Sequence, residues 1–292
     1  MQGRIATIGF FDGVHKGHCY LFEHLQEEAA KRELEPLIVT FYEHPRAALQ
    51  SDYIPQLLST VEERKALLSA YGEVLMLPFA DIKALTAAEF IQYLKEQYQV
   101  EAIVMGYDHR FGSDRLKHPQ EYRSAGMPYG VEVITMGEFI DGEWHVSSTE
   151  IRAALENGNI VVANELLGRP YSISGKVVKG NAIGRNIGFP TANIAPDDPH
   201  KIIPKCGVYA ARVDTPTMDC APAFVNIGNN PTIGNKDVTI EVHIPSFKGD
   251  LYDQHLEIHF ERYIREERQF DSLDELRDQI KADIDSSLRR DA

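Results

Sequence analysis

Cysteine is scarce in this chain: three residues, Cys19, Cys206 and Cys220, among 292. They have neither metal-ligand nor redox spacing, and a sparse, odd count fits a reducing compartment. Apolar runs are also short. None approaches the roughly 18 residues that span a bilayer, and the start shows no basic-then-apolar leader pattern, so a cytoplasmic protein is expected. Positive charge is in deficit, with 30 Lys and Arg against 44 Asp and Glu and a net charge of −14. That balance argues against a general nucleic-acid or anionic-membrane binder, and it leaves room for a small phosphorylated substrate in a local basic pocket. No internal repeat, low-complexity segment or Walker-type G-x-x-x-x-G-K-[ST] string occurs. What remains is the composition of a soluble globular protein, 43% hydrophobic and 25% charged, long enough for one large or two ordinary domains.

Two halves differ in periodicity. In the first, "RIATIGFF", "EPLIVTFY", "EVLMLPF", "EAIVMG" and "VEVITMG" read as strands. They alternate with the helical patterns "KGHCYLFEHLQEEAAKREL", "TVEERKALLSAYG" and "TAAEFIQYLKEQY". Such alternation predicts right-handed crossovers and a parallel sheet covered on both faces, with ligands at the carboxyl ends of its strands. After "LLGRPYSISG" the pattern becomes short β segments separated by turn residues: "YSISGKVV", "GVYAARVD", "APAFVNIG", "DVTIEVHIP" and "HLEIHFERYI". These predict a small antiparallel barrel. An amphipathic helix, "SLDELRDQIKADIDSSL", closes the chain, with Ser272 and Glu275 spaced as a capping box. The boundary is expected at Gly168–Pro170, giving domains 1–168 and 169–292.

The stretch "GFFDGVHKGH", residues 9–18, falls at the turn from the first strand into the first helix. Unpaired backbone N–H groups and the positive end of the helix dipole favour an anion there. Gly9, Gly13 and Gly17 permit close backbone approach. His15 and His18, about one helical turn apart, can present donors together and stabilise charge on phosphorus during in-line attack. The same pair also fits a cap and a packing residue, or a metal site, although no further ligand has matching spacing. "SSTEIR" offers Ser148, Thr149 and Arg152, two hydroxyls and a planar charged fork at another helix start, or simply a helix cap.

In the second half, Gly180, Gly184, Gly188 and Arg185 punctuate "GKVVKGNAIGRNIGFPTANI", which suits a loop that wraps phosphates. Ordinary hairpin chemistry is the other reading. Thr191 and Asn193 in "PTAN" are hard oxygen ligands of the kind Mg²⁺ takes. Glu241 in "EVH" is either a base or an outward-facing strand carboxylate.

"GFFDGVHKGH", "TFYEHPRAAL", "GYDHRFGSDR" and "VSSTEIRAAL", in that order, resemble the bacterial bifunctional riboflavin kinase/FAD synthetases. "GVYAARV", "FVNIGNNPTIG", "EVHIPSFKGDLYDQHLEIHF" and "IREERQFDSLDELRDQI" together resemble that family's kinase module over nearly its whole length. The resemblance implies a Rossmann-like nucleotidyltransferase domain followed by a β-barrel kinase domain with a terminal helix. It also implies two reactions: ATP phosphorylates riboflavin to FMN with Mg²⁺, and a second ATP adenylylates FMN to FAD with release of pyrophosphate.

Carried over residue by residue, the resemblance places Gly9, Phe10, Gly13, His15, Gly17, His18, Ser148, Thr149 and Arg152 on the ATP of adenylyl transfer. It places Gly180, Gly184, Arg185 and Gly188 on the ATP of the kinase, Thr191 and Asn193 on its metal, and Glu241 as general base. Asp108, Asn226, Arg265 and Glu267 would touch flavin, although Arg265 and Glu267 also suit an exposed ion pair. The pair His44–Pro45 matches too, or is a structural turn. Two departures stand out: His109 where an aromatic Phe is usual, and Asp253 where "DLYG" has Gly. Two rivals remain at this point: a nucleotidyltransferase with another acceptor and an inert barrel, and a flavin-binding sensor without turnover. Homo-oligomerisation is left open.

Overall fold

The computed structural model describes residues 2–107, 109–137, 139, 146–180, 184, 188–230, 237–245, 247–268 and 270–288. Contacts divide the chain into two compact units, Met1–Ser148 and Thr149–Ala292.

The first unit is a five-stranded parallel sheet. In chain order its elements are β1 (Arg4–Ile8), α1 (Lys16–Arg32), β2 (Glu35–Phe41), α2 (Pro45–Leu49), α3 (Val61–Leu68), β3 (Glu73–Leu77), α4 (Phe79–Ile82), α5 (Ala87–Tyr98), β4 (Val100–Met105), α6 (Pro119–Gly126), a 3₁₀ turn at Met127–Tyr129, and β5 (Glu132–Thr135). The strand order β3-β2-β1-β4-β5 puts β1 at the centre. The order reverses on either side of it, so the carboxyl end of β1 is the place where a ligand crevice opens.

Successive residues of the central strands feed opposite cores, as a sheet buried on both faces requires. Ile5, Ile38, Ala102 and Val104 pack with Phe22, Leu25 and Ala29 of α1 and Leu68 of α3. Ala6, Ile8, Leu37, Val39 and Ile103 pack with Phe90, Ile91 and Leu94 of α5. Helix starts follow local chemistry. Thr60 and Glu63, and Thr86 and Glu89, form reciprocal capping boxes ahead of α3 and α5. α1 stops where Glu33 turns left-handed, with φ 56°.

The second unit begins with α7, which starts at Ser148 and runs to Glu156, and α8 (Ile160–Leu167). It continues with β6 (Tyr171–Val178), β7 (Ala192–Pro196), β8 (Gly207–Thr215), β9 (Met218–Asn230), β10 (Asp237–His243), β11 (His255–Arg265) and α9 (Leu273–Leu288). The six strands close into an antiparallel barrel in the order β10-β7-β6-β11-β8-β9. Full closure leaves no open sheet edge. Tyr171, Ile173, Tyr209, Val213, Val225, Ile227, Ile240, Val242, Ile258 and Phe260 are buried, and along β6 and the first half of β11 they alternate with more exposed residues. Asn164 on α8 ties the helix to the barrel, its Nδ2 donating to Phe260 O (2.8 Å) and its Oδ1 accepting from Tyr171 N (2.7 Å).

The change of periodicity at Gly168–Pro170 therefore marks the entry into the barrel, while the contact division falls earlier, just after Ser148 at the start of α7. β7 is an element the periodicity does not reveal. Five residues, "ANIAP", become a strand because β6 and β10 pair with it on either side. At α9, Ser272 Oγ accepts from Glu275 N (3.2 Å), but the returning carboxylate bonds Asp271 N (3.2 Å) rather than the Ser272 amide.

Candidate active sites

In the first unit, residues 9–18 leave β1 and enter α1 through a loop of unusual backbone. Phe11 (φ 55°), Gly13 (φ 79°) and Val14 (φ 42°) all adopt left-handed conformations. Gly13 takes that conformation freely, whereas the strain at Phe11 and Val14 persists only where surrounding contacts hold it. Asp12, almost wholly buried, provides much of that hold. Its carboxylate accepts from Leu58 N and Ser59 N (both 3.0 Å) and from Ser59 Oγ (3.2 Å). Ser59 Oγ in turn accepts from Gly13 N at 3.0 Å. Ser148 Oγ donates to Asp12 O at 3.0 Å.

His15 caps α1: its Nδ1 accepts from His18 N at 3.3 Å. That role places the proton of a neutral His15 on Nε2, making Nε2 a donor. The His15 and His18 rings stack with centroids 3.6 Å apart and an 18° tilt. A side chain at Gly17 would lie 3.3 Å from the His15 ring, so glycine keeps that face open. No acidic residue occupies the first turn of α1, which leaves its positive dipole end uncompensated for an anion.

These groups share a cavity of about 360 Å³, whose wall includes Gly9, Phe10, His15, Gly17, His18 and Ser148, with Tyr107, His109 and Phe139. The expected residues thus gather, with exceptions. Gly13 is turned toward Ser59 and does not line the cavity. Thr149 and Arg152 belong to the second unit, on the first two turns of α7. Asp108 lies outside the described residues. His109 contributes its ring to the wall, 6.1 Å from that of Phe111. His44 acts as the cap of α2, its Nδ1 accepting from Arg46 N at 3.1 Å, and its ring meets Phe10 edge-on at 4.8 Å.

In the second unit, several candidate side chains share one row of the barrel's hydrogen-bond register. Val178 pairs with Asn193, Asn193 with Glu241, Glu241 with Asn226, Asn226 with Val208, and Val208 with Arg265. Residues paired in one row project from the same side of a sheet. α9 covers that side, and beneath it lies a cavity of about 320 Å³. Its walls include Gly184, Phe189, Thr191, Asn226, Glu241, His243, Arg265, Glu267, Phe270, Leu276 and Ile280. Thr191 Oγ1 donates to Glu241 Oε2 at 3.0 Å.

Arg265 is paired, but not with Glu267. Its Nε and Nη2 reach Asp283 Oδ2 on α9 at 2.9 and 2.8 Å. Glu267 instead lies over Gly228, where a Cβ would come within 2.3 Å of its carboxylate, and accepts from Asn226 Nδ2 at 3.5 Å. The ion-pair alternative for these two residues is thereby replaced. Gly180 abuts the Asn193 amide, 2.1 Å from where its Cβ would stand. Gly188 is left-handed, and Arg185 lies outside the described residues. His243 is a residue the sequence reading missed. Burial lowers its pKa, and its ring, neutral, donates to Pro190 O (2.9 Å, Nδ1) while meeting Phe189 edge-on. Its period-two spacing from Glu241 was the available signal. A further cavity, of about 380 Å³, shares Thr191; Val177, Val242, Lys248 and Asp250 line it.

Comparison with known proteins finds a separate match for each half of the chain. A family model for FAD synthetase matches residues 1–150, and one for riboflavin kinase matches residues 167–290. The chain is 38% identical to the bifunctional riboflavin kinase/FMN adenylyltransferase of Escherichia coli (strain K12), over 97% of this chain and 91% of that one. It belongs to this family. The counterpart from Haemophilus influenzae is 34% identical, covering 98% of this chain and 94% of its own. The counterpart from Pseudomonas fluorescens is 36% identical, covering 97% and 91%. A crystal structure described as a macrolide-efflux protein from Streptococcus pneumoniae has the same fold. Its TM-score is 0.88 at 34% identity, with 97% and 93% of the two chains covered. Among the described residues of this chain, no helix is long and apolar enough to cross a membrane.

Proposed function

We infer that this bifunctional enzyme makes FAD in two ATP-dependent steps, the barrel forming FMN from riboflavin and the parallel-sheet unit joining AMP to FMN. The register row carries the first assignment, because it sets Glu241 between Asn193 and Asn226 in a cavity with an apolar and aromatic wall. Riboflavin fits that cavity with its ring system against Phe270, Leu276 and Ile280 and its ribityl chain toward Glu241. Glu241 takes the proton of the terminal hydroxyl as that oxygen attacks the γ-phosphorus, and ADP leaves. The donor nucleotide reaches Thr191 from the neighbouring cavity, where Lys248 offers a counter-charge.

The donor set fits Mg²⁺: the Thr191 hydroxyl and Asn193 carbonyl are hard oxygens, and Glu241 already stands 3.0 Å from Thr191. When bound there, the ion offsets phosphate charge. Orienting the hydroxyl and removing its proton fall to the side chains.

In the first unit, FMN supplies the nucleophile through its phosphate, which attacks the α-phosphorus of ATP in line, and pyrophosphate departs. The His15 and His18 rings and the α1 amides donate to the oxygens on which charge grows. No covalent enzyme intermediate is required. Ser148, on the wall of the same cavity, binds a remaining phosphate. Incubating the full chain with riboflavin, ATP and Mg²⁺ and separating the flavins by chromatography tests the whole scheme. FMN should appear first and FAD after it. A chain that binds riboflavin tightly and turns over neither substrate would be a sensor instead.

A further inference from the structure

Arg64, at the end of the first turn of α3, has no solvent exposure, and no ion pair to it is formed among the described residues. Its Nη2 donates to Phe41 O at 2.6 Å, at the carboxyl end of β2. Its Cζ lies 4.1 Å from the centroid of the Phe10 ring. Nε and Nη1 have no acceptor among the described residues. Desolvation lowers its pKa, while the negative charges of Asp12 and Glu62 act the other way. An arginine in such a place stays cationic.

This is an expensive way to fill space. A buried guanidinium without a carboxylate partner loses its hydration and regains little, and an apolar side chain of similar length often gives a more stable fold. The planar fork is also unused, since a single nitrogen makes the one hydrogen bond. What the site retains is a positive charge against the face of one aromatic ring, an attraction that strengthens when water is excluded.

That ring is Phe10, part of the wall of the cavity that holds His15 and His18. Its carbonyl is fixed by Thr40 Oγ1 at 3.1 Å, and its ring also packs against the sheet core and meets His44 in a T-shaped contact. β2 thus anchors both the Phe10 backbone and the guanidinium that holds the Phe10 ring. Immediately after Phe10 the chain enters the left-handed stretch that presents the histidines.

We propose that Arg64 is a positioning residue for adenylyl transfer, acting through Phe10 to hold the β1–α1 loop in its reactive geometry. This rests on reading the cavity as the adenylyl-transfer site. The role demands charge and reach, and it does not demand a guanidinium. Lysine, which keeps one donor for Phe41 O and a cation for the ring, should therefore serve.

The test is steady-state FAD formation from FMN and ATP by the full chain, with melting curves for every variant. R64K should stay within about threefold of wild type, while R64M loses about tenfold or more in kcat with the KM for ATP nearly unchanged and no fall in melting temperature. F10L should lose as much as R64M, and the double variant no more than either alone, because both changes break one interaction. R64M at wild-type kcat overturns the proposal, as does R64K impaired as badly as R64M. So do losses that multiply in the double variant. If R64M does not fold, F10L decides alone, and a wild-type kcat there overturns it. FAD formation surviving H15A/H18A would show instead that the cavity itself has been misread.

Discussion

The two active sites are built on opposite plans. The site proposed for adenylyl transfer is nearly contiguous: ten residues, 9–18, supply its loop, its glycines and both histidines, and Asp12 bonds to Ser59 beside them. The site proposed for the kinase reaction is assembled across strands. Asn193, Glu241, Asn226 and Arg265 are scattered over more than seventy positions, and the register of a closed barrel brings them into one row. A site of the first kind depends on local backbone shape, and one of the second kind on strand pairing and on the helix that roofs it. Each should therefore fail alone, and fail differently.

The largest effects come from crossing the two plans in one chain. Glu241→Gln keeps the row's shape and removes the base, so FMN formation should fall by about 10²–10⁴. FAD formation from supplied FMN should continue in that variant. His15→Ala with His18→Ala should do the reverse, with adenylyl transfer down by about 10²–10³ and riboflavin converted only as far as FMN. Flavin chromatography of the two variants reads both outcomes. Loss of both activities in either variant, with folding intact, would mean that the sites are not separate machines.

The difference in plan also explains what the sequence made legible. The parallel sheet, its helices and the barrel class follow from hydrophobic period and turn spacing, which are local properties. The histidine motif could be read for the same reason, since a strand–helix turn is local too. The row could not. Glu241 read from its own strand is an alternating carboxylate, and only pairing with β7 and β9 sets Asn193 and Asn226 beside it. β7 was itself hidden, since five residues carry too little period to declare a strand. Arg265 and Glu267, two apart on one segment, looked like partners. The pairing with Asp283 depends on where α9 docks, which no periodicity encodes. Asp12 and Arg64 escaped notice because a buried charge carries no mark in sequence until the fold covers it.

A matched pair of glycine substitutions sharpens the contrast at intermediate size. A Cβ at Gly9 would sit 2.6 Å from the Phe11 ring, which is buried and packed edge-on against Phe22 and His18. Gly9→Ala should therefore disturb the loop and the core together, destabilising the unit by about 1–3 kcal/mol and slowing adenylyl transfer. A Cβ at Gly228 would first meet the flexible end of Glu267, 2.3 Å away. Gly228→Ala should displace that carboxylate with little change in melting temperature, raising the KM for riboflavin several-fold. Thermal melts and riboflavin titrations together distinguish a site bound to its core from one laid over a finished barrel.

The smallest effect concerns Asp253, where relatives of this kind often carry glycine. Its φ of 63° is left-handed, and its amide donates to Val177 O at 3.1 Å, so the turn between β10 and β11 keeps the glycine conformation without the glycine. Aspartate tolerates that region better than most residues, yet its Cβ still carries a steric penalty. Against this stands the ion pair to Lys176 at 2.8 Å, in which both side chains are largely exposed, so its contribution is small. Backbone relief should outweigh it. Asp253→Gly is expected to raise the barrel's stability by about 0.5 kcal/mol, a shift of a few degrees at most in the melting curve, with kinase turnover unchanged. A fall in stability would mean that the pair with Lys176, together with the stiffer unfolded chain, matters more at this turn than the strain in its backbone.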